Sequence, residues 1–461
     1  MQLVLDAEAV NARRTGATGH GDLPPGWVLT SIGEVCAVVS GATPKTGVTE
    51  YWGGDIPWVT PDDMSRNPAK IMNGGRRFLT RAGYESCSTR LLPAGSVLFS
   101  SRAPIGYVAI AGREICTNQG FKTAVPPAGV DSSYLYWYLQ HKTPEIESRA
   151  SGTTFTEISG KGFAQTEMPL PPLREQHRIV TALEDYLSRL DAATAILGRC
   201  EPRMAALFLR VLNDRVGRVP GRVPLASVLR QPLANGRSVP TKAGGFPVLR
   251  LTALRNGSLD LAERKAGHWT EVDAMPFLVA KDDFFVARGN GSLNRVGRGG
   301  LLETEPDLIA FPDTMIRIRV DKKRILPRFL RLIWDSDLVR HQIEGSARTT
   351  AGIYKISQST LENVVLPITA PGEQERIALE LEDMFASGER CAAVVASARL
   401  RSGQLRRGML AKAFAGRLVP RDPGDEPASV LLERIRRERG LPVTAHRPPA
   451  LRRAVIKLPL G

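Results

Sequence analysis

Cysteine is scarce in this 461-residue chain, and the five present (Cys36, Cys87, Cys116, Cys200, Cys391) include no close-spaced pair. Disulfide scaffolds and zinc knuckles are therefore not expected, and a reducing cytoplasm is the natural home. The six histidines form no metal-ligand spacing, so no metal site is expected. No apolar run reaches the roughly 18 residues of a membrane span. The first 21 residues lack a signal-peptide core and read as a flexible lead-in. No Gly-rich phosphate loop occurs: SGKG at Ser159 lacks the upstream glycine spacing and reads as a turn. The strings Asn-Pro-Pro-Tyr and Asp-Pro-Pro-Tyr, which an amino-methyltransferase would carry, are missing too. The nearest approach to a nuclease signature is Pro312-Asp313 with Asp321-x-Lys323. The TMIRIRVD between them reads as one strand ending in a charged turn. ARGNGSLNRVGRGG from Ala287 has many glycines without GxGxxG and reads as a flexible basic loop. No catalytic residues are assigned.

What the chain does have is positive charge and a repeat. Its 62 Lys and Arg against 47 Asp and Glu leave a net +15, which favours a polyanionic partner, above all nucleic acid. Part of that excess lies in the segment from Arg434 into a basic tail over 441–461. PLPPLREQHRI from Pro169 returns as PITAPGEQERI from Pro367, about 198 residues later. Glu175/Glu373, Gln176/Gln374, Arg178/Arg376 and Ile179/Ile377 match, followed by Leu183/Leu381, Glu184/Glu382 and Asp185/Asp383. A period this long signals a duplicated domain rather than a solenoid.

The organisation follows from the repeat. Residues 22–172 form a first unit of short strands and turns with one helix near Tyr134–Gln140. Residues 173–218 form a helical spacer. Residues 219–368 form a second unit, in which VPLASVLRQ at Val223 parallels WVLTSIGEV at Trp27. Residues 369–440 form a second helical spacer with a C-terminal helix. An a/d seam runs through Ile179, Leu183, Tyr186, Leu190, Ala193, Leu197, Cys200, Met204, Leu207 and Val211, with Pro202 set to bend or interrupt it. A weaker seam runs from Ile377 to Met409, with Gly388 and Ser402 in the places of Leu190 and Met204. Matched seams predict two packed helices. About 33 residues at about 1.5 Å each make a rod of roughly 50 Å. Antiparallel helices would relate the two copies by a pseudo-two-fold axis and let each meet one half of a duplex site. The fold class is mixed α/β: two recognition domains separated by two long antiparallel coiled-coil-like helices.

From about Leu23 to Arg439 the chain resembles the specificity subunit of type I restriction-modification systems. The repeated Pro-then-Glu-Gln-x-Arg-Ile segments, LFSSRAPIG from Leu98, NQGFK from Asn118, GTTF from Gly152 and AKAFAGRLVPRDPGDEPASVLLERI from Ala411 carry the resemblance. It implies two target recognition domains reading a bipartite site in double-stranded DNA. It implies two methyltransferase subunits docked on the helices, methylating adenine, and restriction subunits that cut. S-adenosylmethionine, ATP and Mg would belong to those partners, and this chain would be non-catalytic. The second unit lacks the APIG and NQGF strings.

For DNA contact the candidates are Lys45, Arg76, Arg77, Arg102, Asn118, Gln119 and Lys122 in the first unit. In the second they are Arg237, Lys242, Arg255, Arg288, Asn290, Arg295 and Arg298. Lys and Arg neutralise phosphates; Arg, Asn and Gln read base edges. Residues shared by both copies (Glu175, Gln176, Arg178, Glu373, Gln374, Arg376) suit helix starts or partner docking. A stand-alone DNA-modifying enzyme and a regulatory DNA-binding protein are the rival readings.

Overall fold

The computed structural model describes residues 23–152, 156–350 and 352–441. The lead-in, nearly all of the tail, and Thr153–Phe155 of the GTTF string lie outside the described residues. The chain divides into two compact units. One comprises the residues up to Thr194 together with those from Leu400 onward; the other is Ala195–Arg399.

In the first unit a ribbon pairs Val28–Ser31 with Glu167–Leu170, Val28 opposite Leu170. A five-stranded sheet runs in the order Ala37–Ser40, Lys122–Val125, Val97–Ser101, Ile105–Ala111, Ile71–Met72. A three-stranded sheet places Trp52–Val59 between Arg77–Leu79 and Cys116–Thr117. Short helices between strands begin on side-chain caps. Ser31 with Glu34, and Thr60 with Asp63, form capping boxes that satisfy the free N–H groups of the first turn. The helix Ser132–Ser148 starts on Asp131 and contributes Tyr134, Tyr138 and Leu139 to the core, beside Phe99, Phe163 and Trp27.

The second unit repeats this frame. Its ribbon pairs Gly221–Pro224 with Val365–Ile368, Gly221 opposite Ile368. Its main sheet begins Ala234–Asn235, Met315–Ile318, Phe284–Ala287, Gly299–Leu301, the counterparts of the first four strands above. Pro327–Ile333 takes the place of Ser132–Ser148. The core gathers Phe284, Phe329 and Trp334, with the Phe284 and Trp334 rings 5.1 Å apart. The segment expected to be a flexible basic loop is instead built. Phe284–Ala287 and Gly299–Leu301 are core strands, and a turn at Leu293–Arg295 joins them. Gly297, Gly299 and Gly300 are packing sites: a Cβ on Gly299 would lie 2.1 Å from the Phe284 ring.

Two long helices, Leu173–Arg218 and Pro371–Phe414, run through both units. In the first unit Asp191 pairs with Arg406 and Thr194 meets Ser402. In the second, Glu201 pairs with Arg399, Phe208 stacks on Phe385 and Arg215 pairs with Glu380. Partner numbers fall as helix numbers rise, so the pairs are antiparallel within each unit. Pro202 does not interrupt its helix, which continues to Arg218. The expected seam needs correction. Tyr186, Leu207 and Leu405 are exposed, while Leu187, Phe208 and Leu212 face inward. The inward positions there run at spacings of four, as Ile179, Leu183 and Leu187 and again Phe208 and Leu212, where the expected seam takes a step of three. A last helix, Ala428–Glu438, buries Leu431, Leu432 and Ile435 in the first unit's core.

Candidate nucleic-acid interface

The repeated glutamines hold each domain to its helix. Gln176 and Gln374 are fully buried. Gln176 Oε1 accepts the Asp131 N–H (2.9 Å), and its Nε2 donates to Pro171 O (3.0 Å) and Gly129 O (3.4 Å). Gln374 Oε1 accepts the Leu326 N–H (2.9 Å), and its Nε2 donates to Thr369 O (2.7 Å) and Arg324 O (2.8 Å). Asp131 and Leu326 are the N-cap residues of corresponding domain helices. A second shared contact lies a few turns on. Glu184 pairs with Lys70 and accepts from Trp137 Nε1, while Glu382 pairs with Arg328 and Arg331.

The other shared residues behave differently in the two copies. Buried Glu175 accepts from Trp27 Nε1 (3.1 Å), and Arg178 pairs with Asp425 (2.6 Å). Glu373 and Arg376 pair with each other on the outside. Burial pushes the Glu175 carboxyl above its ordinary range, partly offset by the Trp27 hydrogen bond and Arg178.

In the first unit the loop 41–48 gathers several candidates into one rim. Gly41 lets the loop approach the turn at Thr117, since a Cβ there would sit 2.1 Å from Thr117 O. Thr43 Oγ1 donates to Gln119 Oε1, Trp58 Nε1 to Ala42 O (3.1 Å) and Trp52 Nε1 to Lys45 O (3.4 Å). Asn118 Oδ1 closes the same turn by accepting the Gly120 N–H (2.9 Å). A bulge between Trp52 and Ile56 brings Trp52 round to Arg77, whose guanidinium lies 3.3 Å from the ring centroid. Stacking on an indole removes rotamer freedom from an arginine and leaves its N–H fork free in the plane. Lys45, Arg77, Asn118 and Gln119 thus share one rim.

The remaining three candidates of this unit are held by carboxylates. Arg76 pairs with Asp62 and Asp63. Burial pushes the Asp63 carboxyl up, but hydrogen bonds from Thr60 and Arg76 outweigh it and hold it below the usual range. Arg102 (3.5 Å) and Lys122 (3.1 Å) both face Glu157. An offset charge releases fewer counterions on meeting a phosphate.

The second unit sorts in the same way. Arg255 pairs with Glu263 (2.9 Å) and Arg298 with Asp335 (2.5 Å). Asn290 Oδ1 accepts the Ser292 N–H in its own turn (3.0 Å). Arg237, Lys242, Arg288 and Arg295 are exposed and form no ion pair among the described residues. The three-stranded sheet of Gly289–Asn290, Ile353–Lys355 and Arg348–Thr350 places Asn290 opposite Tyr354, beside Arg288. Sequence reasoning missed Trp52 and Thr43. The signal for Trp52 was the glycine pair after it in YWGGDIPW, which permits the bulge.

Three comparisons bear on these surfaces. Residues 24–197 match the family model described as the type I restriction modification DNA specificity domain. The MjaIX specificity subunit of Methanocaldococcus jannaschii is 41% identical over 171 residues, covering 37% of this chain and 40% of that relative. The EcoKI specificity subunit of Escherichia coli is 25% identical over 458 residues, covering 91% of this chain and 97% of that relative. A solved chain from a study of complex assembly and conformational transition of the type I R-M system shares the fold. Its TM-score is 0.70 at 18% identity, over 86% of this chain and 100% of that one. The HsdS subunit of Thermoanaerobacter tengcongensis gives a TM-score of 0.54 at 18% identity, over 87% and 99%. Residues 24–197 are thus similar to the type I restriction modification DNA specificity domain, and over 91% of its length the chain is similar to a type I restriction enzyme specificity subunit.

Proposed function

We propose that this chain is the non-catalytic, sequence-specific subunit of a type I restriction-modification complex. Each unit reads one part of a bipartite duplex target. Partner adenine methyltransferase subunits act at that target, with restriction subunits where they are present, and S-adenosylmethionine, ATP and Mg are held by those partners. The observation that carries this reading is the glutamine clamp. Gln176 and Gln374 fix two domains of the same frame in the same way, yet the polar surfaces of those domains are unlike. A shared mount with different faces suits a target whose halves differ in sequence.

Unpaired Lys45, Arg77, Lys242 and Arg295 would neutralise phosphates, while Asn118, Gln119 and Arg288 would meet base edges. Docking of partners on the long helices is supported by their exposed apolar side chains, among them Ile196, Leu207 and Val394 in one unit and Leu400 and Leu405 in the other.

The test is a genome-wide map of N6-methyladenine in the host with and without this gene. Loss of one bipartite motif is expected on deletion, and an unchanged map overturns the reading. The purified chain alone should transfer no methyl group to DNA.

A further inference from the structure

The two units can be superposed in sequence at a point where they diverge chemically. In the first unit the Ile158 N–H donates to Ser101 O (3.1 Å), and Ser159 then caps a short helix, Gly160–Ala164. In the second the Ile356 N–H donates to Arg288 O (2.9 Å), and Ser357 caps Gln358–Glu362. The backbone frame is the same, so Ser101, Gly160 and Ala164 stand where the second unit has Arg288, Gln358 and Glu362. Three small residues in one copy are a guanidinium, an amide and a carboxylate in the other.

Those three groups line one cavity of about 400 Å³ with Asn235, Ser357 and Ser359. Asn235 reaches it from the neighbouring strand, opposite Ile316, and the Gly236 N–H donates to Met315 O (3.4 Å). The Asn235 Oδ1 is buried and has no hydrogen-bond partner among the described residues. Gln358 and Glu362 make no side-chain hydrogen bond or ion pair among the described residues, and Arg288 reaches only Asp313 O, at 3.5 Å. In the first unit Ser101 Oγ instead donates to Glu157 (3.3 Å), which also pairs with Arg102 and Lys122. Arg288 is exposed and Gln358 and Glu362 are half-buried, so all three present donors and acceptors to whatever enters the cavity.

The geometry points to this cavity as a base-reading subsite of the second unit, taking the edge of a base that carries an exocyclic amino group. Carboxamides pair with the adjacent donor and acceptor of adenine, a carboxylate accepts from an amino group, and a guanidinium serves a neighbouring acceptor or phosphate. This rests on the DNA-recognition reading above and adds the residues that discriminate.

The experiment uses the full-length chain co-expressed with its methyltransferase partners and the target found by methylation mapping. Competition binding is measured with duplexes each altered at one base pair, for the unaltered chain, Gln358→Ala and Glu362→Ala. Each variant is expected to lose about ten- to hundredfold of its discrimination at one or two adjacent base pairs of one half-site. The other half-site and the affinity for random duplex should stay as they were. Uniform weakening on every duplex, or unchanged discrimination with an unchanged melting temperature, overturns the subsite. If the unaltered complex discriminates at no base pair, the DNA-recognition reading falls and takes the subsite with it.

Discussion

Gln374 sits in a site with no exposed surface, where one amide satisfies three backbone groups from two segments. Removing it strands an N–H and two carbonyls, each costing about 1–3 kcal/mol. Gln374→Ala is expected to lower stability by about 3 kcal/mol or more in a denaturant titration, and Gln176→Ala should do the same. Their repetition was legible in the sequence; their burial was not, because an amide repeated at two helix starts serves docking and packing equally well. Glu175 makes the opposite case, a buried carboxyl with one oxygen unpartnered among the described residues. Its folded pKa is raised, so the folded form holds the proton more tightly. Its contribution to stability is present in acid and is lost as pH rises through the folded value. Glu175→Gln should flatten that part of a melting-temperature profile and leave the protein no less stable at neutral pH. Adjacent Arg76 and Arg77 show why a list of candidate bases needs geometry. One is held by Asp62 and Asp63, the other lies on Trp52, and successive side chains of extended chain point to opposite faces. Arg77→Ala should weaken duplex binding and reduce the slope of log affinity against log salt by about one. Arg76→Ala should change that slope little.

At the scale of elements, Pro202 tests how far tertiary packing overrides local preference. A proline in a helix interior costs about 3 kcal/mol relative to alanine, yet the helix continues for sixteen residues beyond it, to Arg218. The side chain is exposed, and what carries the helix past it are the contacts of Phe208 with Phe385 and of Arg215 with Glu380. Pro202→Ala is expected to raise the unfolding midpoint, by about 1–3 kcal/mol of stability. The long helices were readable because their apolar periodicity persists for many turns. Their inward face was misassigned by one residue at Tyr186 and Leu207, since a heptad template inserts a step of three where the helix buries residues four apart. The glycine-rich stretch from Ala287 was misread for a different reason. Without a partner strand in view, glycines that admit the Phe284 ring look the same as glycines that loosen a loop.

For the molecule as a whole, the repeat in the sequence corresponds to a repeated frame of ribbon, sheet and clamped helix. Exchanging residues 23–172 for those of another family member should change one half of the methylated motif and leave the other unaltered. Sequencing of methylated sites checks this, and a change in both halves would contradict independent reading. The domain frame was legible from Pro169/Pro367 outward, whereas the candidate contact surfaces were not: in the first unit Trp52 meets Arg77 only through a bulge, and in the second Asn235, Gln358 and Glu362 share a cavity only through the strand order. The last helix, Ala428–Glu438, adds a consequence for biogenesis. It fills the first unit's core alongside Trp27 and Tyr134, so that unit draws on both early and late parts of the chain. On the ribosome the second unit is fully emitted before the first has its final piece. The stretch around Trp27 and Tyr134 therefore waits, greasy surface uncovered, until Ala428–Glu438 has been made, and a stop codon ahead of that helix would injure a domain encoded some three hundred residues earlier.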